Sequence, residues 1–241
     1  MSKKIMLILA TCFVSFISIH SRAADPSLEK GSINSSIKEF ILNNPEVIIE
    51  SLEKLNARKA EAARTGIKDY LSGEGEKFLK SAKLPTIGNI DSKKFFTVIS
   101  DYNCGYCEKY SKTLNEFIVN NNKNIKVIYI PIGALGEASD YKANLALAGN
   151  ILYKHKYDQL NKLLVSSRKL DQKSLLNKVK SLDIDMKKIE ELMKKEEFLS
   201  LKKGIYDLVL NIGVRGVPVT IIGTKSYSGA LSLDDLKDLM K

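Results

Sequence analysis

Apolar residues recur with a helical period through the first third of the chain. Ile33, Ile37, Phe40 and Ile41 fall on one helical face, and Ile48, Leu52 and Leu55 continue the stripe among Lys, Glu and Ala to about Tyr70. Asn44-Pro45-Glu46 reads as a helix start, with Asn as the cap, Pro at the first position and an acid in the first turn. Leu71 to Gly75 breaks the pattern, and Lys83-Leu84-Pro85 to Asn89 reads as a linker. The period then changes. Phe95 to Ser100 is a β-rich run that predicts a buried strand, and helical spacing returns at Cys107, Tyr110, Leu114, Phe117 and Ile118. Ile125 to Ile132 predicts a second strand. Residues 140–212 predict four or five helices, with Asp140 and Asp171 as caps. Val217 to Ile222, interrupted by Pro218, and Ser226 to Gly229 predict two more strands. Ser232 and Asp235 are spaced as a capping box for a final helix to Met240. No internal repeat and no low-complexity tract is visible. The pattern is that of an α/β protein with a helical N-terminal region.

Residues 1–24 stand apart from this pattern. Lys3 and Lys4 precede a mostly apolar run from Ile5 to Ile19, and Ser21-Arg22-Ala23 supplies small residues at the positions that matter for cleavage. We read a secretory signal peptide over residues 1–23, cut after Ala23 or, alternatively, Ala24. The run is short of the roughly 20 residues that a spanning helix needs. An uncleaved anchor is the competing reading. Leu9-Ala10-Thr11-Cys12 faintly resembles a lipoprotein box, but the apolar run continues past Cys12.

Cleavage changes what the composition means. The 241-residue chain has three cysteines, two histidines and a formal charge of +10. Removing Lys3, Lys4 and Arg22 takes the basic count from 38 to 35, which against 28 acids leaves +7. The paired lysines 187–188, 194–195 and 202–203 recur between acids and apolar positions, as on solvated helix faces, and no basic patch interleaved with aromatics points to nucleic acid. Cys12 and His20 leave with the leader, so the exported chain keeps Cys104, Cys107 and His155. His155, in Tyr153-Lys154-His155-Lys156-Tyr157, reads as a helix-end residue rather than a ligand. With 44% hydrophobic residues the chain can bury a sizeable core, and three cysteines exclude a disulfide-dense scaffold.

The chemistry concentrates at Cys104-Gly105-Tyr106-Cys107, after a predicted strand and at the start of a predicted helix. A thiol at a helix N-terminus faces unpaired N–H groups and the positive end of the dipole, which favour the thiolate, the nucleophilic form. Cys107, three residues on, would lie deeper and could resolve a mixed disulfide on Cys104. Three other readings compete. A structural disulfide closing so short a loop contributes only about 2 kcal/mol in the chain-entropy estimate. A copper or zinc site lacks a second cysteine pair, with one histidine left. Two inert thiols fit poorly with an oxidising compartment. Pro218 in Gly213-Val214-Arg215-Gly216-Val217-Pro218-Val219 reads, taken alone, as an ordinary trans turn at a strand entry, with a cis bond as the alternative. Tyr102 and Tyr110 read as core residues and Tyr106 as partly exposed.

Taken together, these residues resemble the DsbA-like branch of the thioredoxin superfamily from about Phe95 to Lys241. The carriers are Asp101-Tyr102-Asn103-Cys104-Gly105-Tyr106-Cys107, Pro131-Ile132 with Ser139, and Gly216-Val217-Pro218 followed by a strand and Gly223. The resemblance implies a thioredoxin fold over 91–241 with a helical domain inserted at about 140–212. It assigns Cys104 as nucleophile and Cys107 as resolving cysteine. Pro218 matches the cis-proline beside them, and Val217 the residue whose backbone pairs with bound peptide. Residues 24–90 resemble the helical, oligomerising extensions of ScsC-like members. Relatives often hold a buried acid six residues before the first cysteine, where this chain has Val98. Gly105-Tyr106 looks like the dipeptide of the DsbC isomerase, whereas Val217 looks like the DsbA oxidase.

The expected function is an exported, periplasmic thiol–disulfide oxidoreductase without metal or cofactor. It acts on cysteines of other exported proteins, as an oligomeric isomerase with some oxidase ability. Its expected partners are a DsbB- or DsbD-like membrane protein and further copies of itself, as a dimer or trimer through residues 24–75. A monomeric oxidase, a copper carrier and a holdase chaperone are the alternatives.

Overall fold

The computed structural model describes residues 26–121 and 124–240; the expected leader lies outside them. The chain divides into two units, Met1–Ala57 and Arg58–Lys241. In the first, α1 spans Pro26–Asn43 and is followed by the start of α2, Glu46–Ser72. The Asn44 carbonyl accepts from the Val47 N–H at 3.1 Å in the first turn of α2, but its side chain does not cap that helix. Its Nδ2 donates to the Phe40 carbonyl at 2.8 Å, as does its main-chain N–H at 2.9 Å. An amide donor beside the orphan carbonyls ending α1 is used there, while the missing N–H of Pro45 leaves α2 one fewer donor to satisfy. Ile33, Ile37, Phe40, Leu42, Ile49 and Leu52 are each half exposed or more.

The second unit is built on a five-stranded mixed sheet in the order β1-β3-β2-β4-β5. The strands are β1 Thr86–Gly88, β2 Phe95–Ser100, β3 Lys126–Pro131, β4 Val219–Ile222 and β5 Lys225–Ser228. β2 lies at the centre, and five of its six residues are buried, as a strand covered on both faces requires. β2 and β3 are parallel, with Val98 opposite Tyr129 and Ser100 opposite Pro131. Parallel neighbours need a crossover, supplied by α4, Gly105–Asn120. The apolar spacing read from the sequence becomes the face that α4 buries: Cys107, Tyr110, Leu114, Phe117 and Ile118. The remaining strand pairs are antiparallel.

Between β3 and β4 the chain forms α5 Glu137–Leu152, a 3₁₀ turn Lys154–Lys156, α6 Tyr157–Ser166, α7 Gln172–Lys180, α8 Met186–Met193 and α9 Glu196–Asn211. The final helix, α10, spans Leu233–Leu239 and packs against α4. Its capping box is present: Ser232 Oγ accepts from the Asp235 N–H at 3.1 Å, and the Asp235 carboxylate accepts from the Ser232 N–H at 2.9 Å. Asp171 caps α7 by accepting from the Ser174 N–H at 2.9 Å. Asp140 does not cap α5. Gly136 does, at φ 103°, and Asp140 lies in the first turn, where its carboxylate meets Lys202.

The expected linker is more structured than its sequence pattern. It follows α3, Glu74–Ser81, and contains β1, paired antiparallel with β3. Three residues are too few to show alternation, and Pro85 just before them masks the strand. Gly88, at φ 87°, ends it, and a Cβ there would strike the Ile125 carbonyl. One apolar core joins the sheet, α4 and the inserted helices, with Phe96, Tyr110, Phe117, Leu160 and Phe198 almost fully buried. Among the described residues no helix is long and apolar enough to cross a membrane.

Candidate active site

Cys104 is the residue that β2 and α4 place most directly. It follows the end of the central strand by four positions and stands at the N-cap of α4 in an extended conformation. Its N–H donates to the Asp101 carbonyl at 3.1 Å, and its carbonyl accepts the first helical bond, from the Glu108 N–H at 3.0 Å. The preceding loop is fixed by Asp101, which is buried. Asp101 Oδ1 accepts from the Asn103 N–H at 2.7 Å and Oδ2 from the Leu135 N–H at 3.0 Å. One carboxylate therefore ties the loop before Cys104 to the loop after β3.

Cys104 and Cys107 are free thiols in this structure, and both are buried, at 9% and 4% exposure. The deeper Cys107 is the one that burial penalises: desolvation pushes its pKa from 9.0 up to about 12. The Ser100 side chain and the Asp101 backbone hydrogen-bond to Cys107 and oppose that rise, while Cys104 adds to it. The Val217–Pro218 peptide bond is cis. It brings the Val217 carbonyl to 3.7 Å from Cys104 Sγ, as acceptor for the thiol. The structure thus joins Cys104, Cys107, Val217 and Pro218. Gly105 has open space where a side chain would stand. Tyr106 is 70% exposed, with Lys109 Nζ 5.9 Å from its ring centroid. His155 is exposed in the 3₁₀ turn.

A groove of about 670 Å³ opens beside Cys104. Ile132 and Leu135, Ala143 and Leu147, Ile205 and Val217 give it mainly apolar walls, from the loop after β3, from α5, from α9 and from the cis-proline loop. Gly133 lets the first two walls meet, because a Cβ there would lie 2.5 Å from Asp140 Cα. The Asp140 carboxylate in the groove is already engaged, by Lys202 at 3.1 Å and Asn144 Nδ2 at 2.9 Å. Arg215 adds an exposed guanidinium.

Two features of the site escaped sequence reasoning. Lys142 is buried, and its Nζ donates to Asn103 Oδ1 at 2.7 Å and to the Ser167 carbonyl at 2.8 Å, while Asn103 Nδ2 donates to Ser139 Oγ at 3.0 Å. Burial lowers the Lys142 pKa and the Asp101 charge opposes that. This network joins the inserted helices to the residue before Cys104, and Arg168 with Glu108 adds a second link to α4 at 3.1 Å. The signal was a lysine immediately before the mostly small and apolar Ala143 to Gly149 stretch of α5. The second feature is a hydroxyl pair at the sheet: Tyr129 donates to Ser100 Oγ at 2.7 Å, and both side chains are buried. Among the described residues no cluster of three or more His, Cys, Asp or Glu side chains is placed to hold a metal ion.

A dithiol at the start of the helix after the central strand, faced by a cis-proline loop, defines a protein of the thioredoxin-like class. A thioredoxin family model matches residues 80–241, and the chain belongs to that family. A second model, the copper resistance protein ScsC N-terminal domain, matches residues 29–62. No curated protein sequence matches the chain. Among solved structures, Proteus mirabilis ScsC in a transitional conformation is 24% identical, with TM-score 0.62 over 91% of this chain and 97% of that one. The thiol-disulfide exchange protein alpha-DsbA2 from Wolbachia pipientis is 27% identical, with TM-score 0.63 over 75% of this chain and 95% of that one. A periplasmic thioredoxin-like protein from Salmonella enterica serovar Typhimurium is 23% identical, with TM-score 0.54 over 68% and 92%. The fold is that of the ScsC and DsbA-like thiol–disulfide oxidoreductases, preceded by a helical N-terminal region.

Proposed function

We propose that this protein is an exported, periplasmic thiol–disulfide oxidoreductase acting on cysteines of other exported proteins, and that it works as an oligomeric disulfide isomerase with some oxidase activity. The observation that carries the reading is the dithiol itself: Cys104 at a helix N-cap, against the Val217 carbonyl, at the mouth of an apolar groove.

Cys104 as thiolate attacks one sulfur of a substrate disulfide. A Cys104–substrate disulfide forms, the substrate bond breaks, and its other sulfur leaves as a thiolate. If that thiolate attacks a different disulfide of the same substrate and the substrate finally expels Cys104, the pairing has changed with no net electron transfer. If Cys107 instead attacks Cys104, the substrate leaves reduced and the enzyme holds the Cys104–Cys107 disulfide, two electrons poorer. A DsbD-like membrane protein would return those electrons. The oxidase direction runs the same steps in reverse, with a DsbB-like partner as acceptor. Val217 pairs with the substrate backbone through its carbonyl, and Pro218 holds that carbonyl toward the cysteines. Gly105 leaves approach to Cys104 open.

Oligomerisation through residues 24–75, as a dimer or trimer, is supported by the exposed apolar side chains of α1 and the start of α2 and by the match of residues 29–62 to the ScsC N-terminal domain. An apolar face of that extent usually marks an interaction surface. The experiments are a pair. Sedimentation of the mature chain should give an oligomer, and of a chain lacking residues 24–75 a monomer; two monomers would sink the oligomer. Alkylation trapping in cells should find Cys104 and Cys107 mostly reduced. Mostly oxidised thiols would leave an oxidase, and undiminished reduction of insulin disulfides by Cys104→Ser would remove the enzymatic reading altogether.

A further inference from the structure

The mainly apolar groove beside Cys104 holds three charged side chains, Asp140, Lys202 and Arg215. Two of them cancel. Lys202 Nζ donates to both Asp140 carboxylate oxygens at 3.1 Å, and Asn144 Nδ2 donates to one of them at 2.9 Å. Arg215 differs. It stands exposed, and its guanidinium has no hydrogen bond or ion pair among the described residues. Gly213 and Gly216, on either side of it in the loop, each have open space where a side chain would stand, so no side chain at those positions covers the guanidinium. The loop also fixes where this charge falls along a bound chain. Arg215 is two residues before Val217, whose carbonyl accepts from Cys104 Sγ at 3.7 Å. Two residues span at most about 7 Å. In an extended peptide that is the spacing from a cysteine to the second residue on either side. Successive side chains alternate, so those second residues face the same way as the cysteine. A guanidinium with its donors free favours a carboxylate, which it can hold through two parallel bonds.

We propose that Arg215 is a specificity-determining residue of the exchange reaction: it selects substrate segments that carry an aspartate or glutamate two residues from the reacting cysteine. This rests on the exchange chemistry proposed above. The occupant of the groove is then an extended stretch of the substrate polypeptide, with its cysteine at Cys104, its acid on Arg215 and an apolar side chain against Ile132, Leu147 and Ile205. A substrate with a lysine at the same place sets two cations together in a groove whose carboxylate, Asp140, is already paired, so the selection works by repulsion as well as by attraction. An exposed pair of this kind discriminates roughly two- to fivefold, and salt screens it.

The test uses the full chain, reduced, with cysteine peptides carried as 2-pyridyl disulfides that differ only in having Glu, Gln or Lys at both positions two residues from the cysteine. Cys104 as thiolate attacks the peptide sulfur, the peptide–Cys104 disulfide forms, and the bond to the pyridyl sulfur breaks. The electron pair leaves on 2-thiopyridone, which takes up a proton and is read by absorbance. Each rate constant is divided by that of the same peptide with 2-mercaptoethanol, which removes the effect of the flanking charge on the disulfide itself. At low salt the Glu peptide should react roughly two- to fivefold faster than the Gln peptide, and the Lys peptide more slowly. Arg215→Gln should remove the preference, and Arg215→Glu should turn it toward the Lys peptide. Lys178→Gln, which removes an exposed cation outside the groove, should keep it. A Glu preference that Arg215→Gln leaves unchanged, or that Lys178→Gln reduces equally, overturns the assignment in favour of attraction by the protein's overall positive charge. Equal rates for the three peptides in the wild type overturn it outright. Release of no thiopyridone from any peptide would instead defeat the exchange chemistry, and this assignment with it.

Discussion

Replacing Cys104 with serine leaves Cys107 as the sole thiol among the described residues, and its reactivity then reports its surroundings alone. Of the causes that raise its pKa from 9.0 to about 12, burial is the largest and survives the substitution, while the smaller effect of Cys104 is lost. At about pH 8 an ordinary thiol with that starting value is roughly one-tenth thiolate, and one at about 12 is roughly one part in 10⁴ thiolate. Iodoacetamide reacts with the thiolate, so Cys107 should be alkylated on the order of a thousandfold more slowly in the folded variant than after unfolding in urea. Restricted access also slows alkylation, but the pH dependence separates the two causes. A low thiolate fraction makes the rate climb tenfold per pH step through and beyond 9, whereas mere occlusion gives a curve that levels off near 9. The same proton binding affects stability. Between 9 and about 12 the folded state holds a proton that the unfolded chain has released, so stability is present in full below 9 and falls as pH rises, by about 1.4 kcal/mol per step and about 4 kcal/mol at most. Buried tyrosines titrate in the same range, so the measurement is the difference in urea unfolding between Cys104→Ser and Cys104→Ser with Cys107→Ala. Alkylation levelling off near 9, together with a pH-independent difference, would refute the reasoning.

Three further substitutions test how the site is held. Lys142→Met strips the buried Ser167 carbonyl and Asn103 Oδ1 of their donor and Asp101 of its nearby cation, and should cost about 2–4 kcal/mol in urea unfolding, with insulin reduction falling as the Cys104 loop loosens. Tyr110→Phe removes the 2.8 Å bond to the fully buried Thr220 hydroxyl and should cost about 1–2 kcal/mol while leaving insulin turnover in place, because this pair joins α4 to β4 one helical turn beyond Cys107. Gly133→Ala forces the loop after β3 away from α5 and should cost about 1–3 kcal/mol, with KM for a peptide disulfide rising more than kcat falls.

The parts of this protein legible in its sequence are those where one local rule decides. β2 was readable because a strand buried on both faces must be apolar throughout. α4 was readable because its buried positions repeat with the helical period, and Asp171 and Ser232 because a cap is a local hydrogen bond. Where two local uses compete, the reading failed. Asn44 served the helix behind it, and Asp140, spaced as well as Asp171, was claimed by Lys202, 62 residues away. β1 was missed because its pairing with β3 carries no signature within three residues.

The candidate site divides along the same line. The dithiol and its proline were visible as motifs because relatives share them, but what surrounds Cys107 is set by register. Within β2 alone Val98 carries no polar group, and the strand gives no sign of what its neighbour supplies. The sheet sets Tyr129 beside it on the parallel neighbour, and Tyr129 reaches Ser100 across the strand boundary. Neither a tyrosine in an apolar strand nor a serine at a strand end is a signal by itself; only the pairing of β2 with β3 brings the two hydroxyls together. A lone hydroxyl in so dry a place would leave a buried polar group unpaired, and the bond between Tyr129 and Ser100 meets that need without burying a charge.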